Sequence, residues 1–232
     1  MPLDFLPHRH VQLINPEMKH SMKFAALAAL VACSIDAFAV TDPSNSFLPS
    51  FTGAHVGALE LLEADVTFDA GADTFELHAT TNGPIADSAN AAYIFGFNRG
   101  GTANTPFVSI GEPGVSFNET VLLRSNGTGT VGTSAVASVV QGNDISATIS
   151  AALLPSNGLA PADFTWALWS IDSSIAGLAR NAEFLPDANI QVAAAVPEPT
   201  TNALMLAGLA AVGYAVWRRK ALGRASETAV FG

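Results

Sequence analysis

The sequence predicts an all-β domain, a single antiparallel β-sandwich of the jelly-roll or Ig-like kind, flanked by an N-terminal signal helix and a C-terminal transmembrane helix. Three observations predict it. Apolar and polar residues alternate along short stretches, as in strands with one buried face. Turn-forming residues separate these stretches at short intervals, which is typical of a sandwich. An uncharged apolar stretch lies near each end of the chain, at 24–33 and 203–217.

The N-terminal stretch has the order of a secretory signal peptide. Lys19 and Lys23 precede the apolar run, and Ala37 and Ala39 are the small residues that a signal peptidase reads. We therefore predict a signal peptide over residues 1–39, handled by the secretion machinery and cleaved after Ala39.

Two further interpretations concern this end of the chain. Residues 1–17 hold an aspartate, two histidines and several prolines, so we expect the true start at Met18 or Met22. A competing reading is that Leu30-Val31-Ala32-Cys33 resembles the lipobox of bacterial lipoproteins, in which the cysteine is lipidated. The sequence leaves this alternative open.

Residues 40–192 are expected to form one exported domain. Three arginines, no lysine and fifteen acidic residues give residues 40–195 a net charge of −12, which repels nucleic acid. The domain has no cysteine, which excludes disulfides, thiol nucleophiles and thiolate metal sites.

The strand pattern is clearest around a hairpin. Polar and apolar residues alternate on both sides of the turn Asp69–Asp73, from residue 65 to residue 80. The stretch 164–171 is apolar on both faces and should be a central strand, whereas 145–150 should be half-buried. Further strands are predicted at 92–98, 107–110, 115–117, 121–124, 135–141 and 189–192, with a short helix at 173–181.

Two ligand sites can be considered in this domain. Asp65, Asp69 and Asp73 lie at or beside one turn and are weak candidates for binding calcium, although solvated turn residues account for them better. Three aromatic residues are weak candidates for stacking on sugar rings, with a place in the core as the alternative; they are Tyr93, Trp166 and Trp169.

Catalytic chemistry has little support in the sequence. His55 and His78 are the only histidines of the exported part, and neither a Gly-x-Ser-x-Gly nor a His-Glu-x-x-His motif accompanies them. His78 lies on the polar side of the hairpin and is expected to be solvated. We predict a protein that is not an enzyme and needs no cofactor.

A linker, an apolar helix and a basic tail are predicted at the C-terminus. The linker, 193–202, contains two prolines that prevent helix formation and favour an extended chain; its motif is Val196-Pro197-Glu198-Pro199-Thr200. The fifteen residues 203–217 would rise about 22 Å as a helix, less than the roughly 30 Å of a hydrocarbon core. The predicted transmembrane helix is therefore a marginal span.

The tail 218–232 begins with the basic cluster Arg218, Arg219 and Lys220. Basic residues beside a transmembrane helix favour the cytoplasmic side, so the domain should lie outside the membrane. At residues 196–220 the chain resembles the PEP-CTERM family of bacterial exported proteins, which share such a motif, a glycine-containing apolar helix and a basic cluster. One departure is the extra tail 221–232.

The resemblance implies that an exosortase, a membrane-embedded cysteine transpeptidase, recognises this segment, cuts near the motif and releases or transfers the protein. It also implies a final place at the cell surface or in the extracellular matrix, with exopolysaccharide, biofilm or floc as the context. The alternative expectation is a carbohydrate- or calcium-binding β-sandwich module.

Overall fold

The computed structural model describes residues 39–44, 46–195, 208–210 and 212–214. In these residues the chain is mainly β, with a few 3-10 turns and helical backbone at 208–210 and 212–214. The twelve strands are β1 Val40–Thr41, β2 Leu61–Asp69, β3 Thr74–Thr81, β4 Ala91–Asn98, β5 Glu119–Arg124, β6 Thr128–Val131, β7 Ser134–Ala137, β8 Val139–Gln141, β9 Asp144–Ser150, β10 Thr165–Asp172, β11 Asn181–Gln191 and β12 Ala193–Ala194.

The strands form two sheets of six. The first sheet has the order β1-β2-β3-β9-β8, with β12 also paired to β2, and the second has the order β11-β10-β4-β5-β6-β7. All pairs are antiparallel except β12 with β2. The prediction of an all-β fold built from antiparallel sheets is confirmed.

One hydrophobic core joins the two sheets. Phe75 of β3 meets Phe97 of β4 with ring centroids 5.7 Å apart, and it stacks on Phe164 at the same distance. All three rings are fully buried. Burial of large apolar side chains is the main stabilising contribution of such a fold.

The elements with strict patterns were predicted correctly. β2 and β3 pair as the expected hairpin, with Val66 opposite Leu77 and with Asp73 at a φ of 54° in the turn. β10 lies between β11 and β4 with both of its faces buried, as its continuous apolar sequence predicts.

Other predicted elements were wrong or only partly right. Residues 108–110 form a 3-10 helix, and 115–117 contribute only an isolated bridge between Phe117 and Asn104. The stretch 135–141 is divided between β7 and β8, which belong to different sheets. The strand predicted at 189–192 is the end of the long β11, and the helix expected at 173–181 is reduced to the 3-10 turn Gly177–Arg180.

Candidate functional site: the ends of the β domain and the C-terminal segment

The C-terminal end of the β domain is fixed to the first sheet. Ala193 and Ala194 of β12 pair in parallel with Thr67 and Phe68 of β2. The next residue, Ala195, donates its N–H to the Phe68 carbonyl at 3.0 Å. The predicted linker boundary at residue 193 is therefore wrong, because residues 193–195 complete their backbone hydrogen bonds along the edge of β2.

The N-terminal end of the domain lies along the same strand. Val40 and Thr41 of β1 pair antiparallel with Ala64 and Glu63 of β2. Ala39, after which cleavage was predicted, immediately precedes this strand. The rest of the predicted signal peptide lies outside the described residues; this includes Met18, Met22, Cys33 and Ala37.

A buried glutamate connects the N-terminal segment to the core. Glu183 of β11 is 1% exposed, and its carboxylate oxygens accept hydrogen bonds from the Ser46 hydroxyl and from the Leu61 N–H. Burial raises the pKa of Glu183 to about 7, the two donated hydrogen bonds oppose this, and the charge of Asp42 adds to it. Ser46 also donates to Asp42 at 2.8 Å.

Glu183 belongs to no motif that would mark it as a site residue in the sequence. The only signal was an acidic residue within the apolar stretch Ala182–Leu185, and a buried carboxyl in such a stretch requires donors from elsewhere in the fold.

The candidate calcium ligands are engaged in other contacts. Asp69 accepts hydrogen bonds from the N–H groups of Gly71 and Ala72, at 2.7 and 3.1 Å, and so closes its own turn. Asp65 lies across the strand pair from His78, whose Nδ1 is 3.1 Å from the carboxylate. The described part of the chain contains no group of three or more His, Cys, Asp or Glu residues placed to hold a metal ion.

His78 was expected to be solvated and is in fact held between two aspartates. Its other ring nitrogen, Nε2, is 3.5 Å from Asp144 of β9. The hydrogen bond with Asp65 and the charges of both aspartates raise the pKa of His78 above 6.5, against an opposing effect of partial burial. Strand register explains why the pattern alone missed this contact, since Asp144 comes from a distant hairpin.

The three proposed sugar-stacking residues are part of the core, which corrects that hypothesis. Tyr93, Trp166 and Trp169 are at most 3% exposed, so none presents a ring face to a ligand. Tyr93 donates its hydroxyl to the Ala58 carbonyl, and Trp169 packs edge-on against Phe107 with centroids 5.0 Å apart. Aromatic residues in strands that are buried on both sides have this role in many folds.

Part of the C-terminal segment is helical. Residues 208–210 and 212–214 have helical backbone, and Leu209 and Val212 are 62% and 63% exposed. No helix within the described ranges has both the length and the apolar character needed to cross a bilayer. The sorting motif 196–200, most of the predicted transmembrane helix and the basic cluster 218–220 lie outside these ranges.

Comparison with known proteins decides what this segment is. A family model described as the PEP-CTERM protein-sorting motif matches residues 195–220. The chain carries a PEP-CTERM sorting motif. The resemblance predicted from the proline motif, the apolar stretch and the basic cluster is thus confirmed. No curated protein and no solved structure matches the chain.

The PEP-CTERM match indicates an exported protein that is sorted through its C-terminus and processed by an exosortase. The match begins at Ala195, the residue whose N–H is bonded to β2, and ends at Lys220. The PEP-CTERM motif therefore follows the folded sheet directly, without an intervening spacer.

Proposed function

We propose that this protein is a non-enzymatic exported protein, held for a time at the membrane by its PEP-CTERM segment and then cut by an exosortase-like transpeptidase. The observation that carries the proposal is the match to the sorting motif over residues 195–220. The protein is the substrate of the processing reaction, and the β domain is what the reaction delivers.

The orientation and the route follow from the physical character of the two ends. A signal peptidase removes residues 1–39, and residues 203–217 cross the inner membrane with the cluster Arg218–Lys220 inside. Exposed apolar residues such as Leu209 and Val212 support a lipid environment for this helix, because apolar side chains gain free energy on leaving water. A helix shorter than the hydrocarbon core of the membrane is better suited to a temporary anchor than to a permanent one.

The final location that we propose is the cell surface or the extracellular matrix, in contact with exopolysaccharide or biofilm. The net charge of −12 supports a soluble domain in an aqueous matrix. We further propose that its two sheets form a sandwich of the jelly-roll or Ig-like kind.

Intact-mass measurement of the protein from cells and from medium tests the processing. We expect the protein in the medium to lack residues 1–39 and the whole stretch 203–232. A correctly localised protein that retains residues 203–232 would refute the proposal.

Two substitutions in the motif sharpen the test. Pro199→Ala and Glu198→Gln should leave uncut protein in the inner membrane, because the first removes a proline that favours the extended backbone and the second removes the one charge of the motif. Matched controls are Pro49→Ala and Glu76→Gln, which alter exposed residues of the β domain. Normal release of both motif variants would contradict the role given to the motif.

A further inference from the structure

One continuous segment, Ser134–Gln141, forms the last strand of both sheets. β7 ends one sheet and β8 ends the other, and only Ser138 separates them. The Ser138 N–H donates to the Gly127 carbonyl at 3.0 Å, which extends the pairing of β7 with β6 by one residue before the chain passes to the other sheet. Within the described ranges, no strand pairs with the outer side of β7 or β8. We call this segment the open edge.

The opposite edges are protected against pairing with another chain. The outer side of β2 is covered by β1 and β12. β11 carries Pro186 and Asp187, and its pairing with β10 is interrupted by register shifts. Prolines, charges and irregularities are the means by which proteins prevent edge-to-edge association.

The open edge has none of these protections. It contains no proline, and no Asp, Glu, Lys or Arg occurs from Ser125 to Asn143. Ser134, Ala135 and Ala137 of β7 are exposed. A neutral strand with small exposed side chains is an available template for a further strand.

The hairpin geometry defines which backbone groups of β7 point outward. Val131 pairs with Ser134 across a two-residue turn that starts with Gly132 at a φ of 54°, as in a type II′ turn. The pair next to such a turn exchanges its hydrogen bonds within the hairpin, and the pattern alternates along the strand. The N–H and C=O groups of Ala135 and Ala137 are therefore directed away from β6.

We infer that β7 is a self-association surface, on which a second copy of this chain adds its own β7 in antiparallel register about a two-fold axis at Val136. In that register Ala135 of one copy lies opposite Ala137 of the other, and each opposed pair exchanges both of its backbone hydrogen bonds. The two Val136 residues face each other as the intervening pair. The second sheets of the two copies then form one continuous sheet.

The neutrality of the open edge and its ability to pair with an identical strand are the reasons for choosing a second copy as the occupant. Two domains that each carry a net charge of −12 repel each other across most of their surfaces. At the open edge, two copies can approach each other without bringing like charges face to face. A two-fold contact also requires a strand that can pair with an identical strand, as β7 can. The exposed methyl groups of Ala135 and Ala137 leave room for this approach.

The inference goes beyond sorting and does not rest on it, because pairing requires only the folded domain. Cysteine cross-linking of the full chain in mild detergent tests the register, in a Cys33→Ser background. Intervening antiparallel pairs have Cα atoms about 4.5 Å apart, within the range that a disulfide spans. Val136→Cys should therefore give covalent dimers on oxidation with copper phenanthroline.

Ala152→Cys is the matched control, since Ala152 is exposed but lies outside both edge strands. Cross-linking of this variant should stay several-fold below that of Val136→Cys. Equal cross-linking of the two variants, or none for Val136→Cys, would overturn the proposed register.

A second measurement covers the case in which Val136→Cys disturbs the packing. Sedimentation of the full chain in the same detergent compares Ala137→Glu with Ala152→Glu, which add one charge on and off the open edge. Ala137→Glu should weaken self-association by about tenfold or more, since like charges across an interface are strongly unfavourable. The proposal fails if the wild type shows no self-association, or if both variants associate equally while retaining their β circular dichroism.

Discussion

Replacing Glu183 with glutamine should remove most of the pH dependence of the domain's free energy of unfolding between about pH 5 and pH 8. The pKa of Glu183 is raised from 4.5 to about 7, mainly by burial. The folded state therefore holds the proton more tightly than the unfolded state. The contribution of Glu183 to the free energy of unfolding is complete below about pH 4.5. It is lost as the pH rises through about 7, and above that the stability no longer changes with the protonation of Glu183.

The size of the effect follows from the pKa difference. One unit of pKa difference corresponds to about 1.4 kcal/mol. Raising the pH from about 5 to about 8 should therefore lower the free energy of unfolding of the wild type by roughly 2.5 kcal/mol through Glu183. The contacts give the protonated form a physical basis. Ser46 has a single hydroxyl proton for two carboxylates, and a protonated Glu183 can donate to Ser46 while Ser46 donates to Asp42.

Urea unfolding of the fragment 40–195, which contains all twelve strands, measures this. Tryptophan fluorescence can follow the transition near pH 5 and near pH 8. Glu183→Gln should lose most of the pH dependence, whereas Glu76→Gln on the exposed side of β3 should keep it. A Glu183→Gln profile that parallels the wild type would refute the reasoning.

Two further predictions concern other parts of the domain. His78→Gln should remove a smaller stabilisation, up to about 1 kcal/mol, because the side chain is 36% exposed. This stabilisation is complete below about pH 6.5 and is lost as the pH rises through the higher pKa that His78 has in the folded state. Unfolding curves measured on both sides of that pH range would show the loss. Gly96→Ala should lower the free energy of unfolding by about 1–3 kcal/mol, because the added methyl carbon would lie 2.7 Å from the Trp169 ring. Thermal unfolding followed by near-ultraviolet circular dichroism would detect both the lower stability and the shifted ring. An unchanged melting temperature would contradict the packing argument.

The parts of the fold that could be predicted are those in which burial and strand geometry coincide. β2, β3, β9 and β10 have sequence patterns that match their buried faces. Phe107 and Val115 are also buried, yet they belong to irregular backbone, so their apolar character indicated core rather than strand. β6 was missed because its glycine and threonine residues resemble a turn.

Some features of the candidate site could be predicted from the sequence, and others depend on contacts that form only in the folded domain. The sorting motif is linear, so its prolines, apolar stretch and basic cluster could be read directly from the sequence. The environment of Glu183 could not, because its donors Leu61 and Ser46 lie 122 and 137 positions away along the chain. The end of the domain was misplaced for a similar reason, since Ala193 and Ala194 become a strand only when β2 offers its edge.

The pairing of both domain ends with β2 gives the molecule a tethered side and a free side. In the first sheet, β3 and β9 separate β2 from β8, so about 14 Å of sheet lies between the attachment edge and the open edge. Trimming of either chain end would act on the tethered side alone. Pairing through β7 would use the free side, so a copy still attached to the membrane and a copy already released present the same surface to each other.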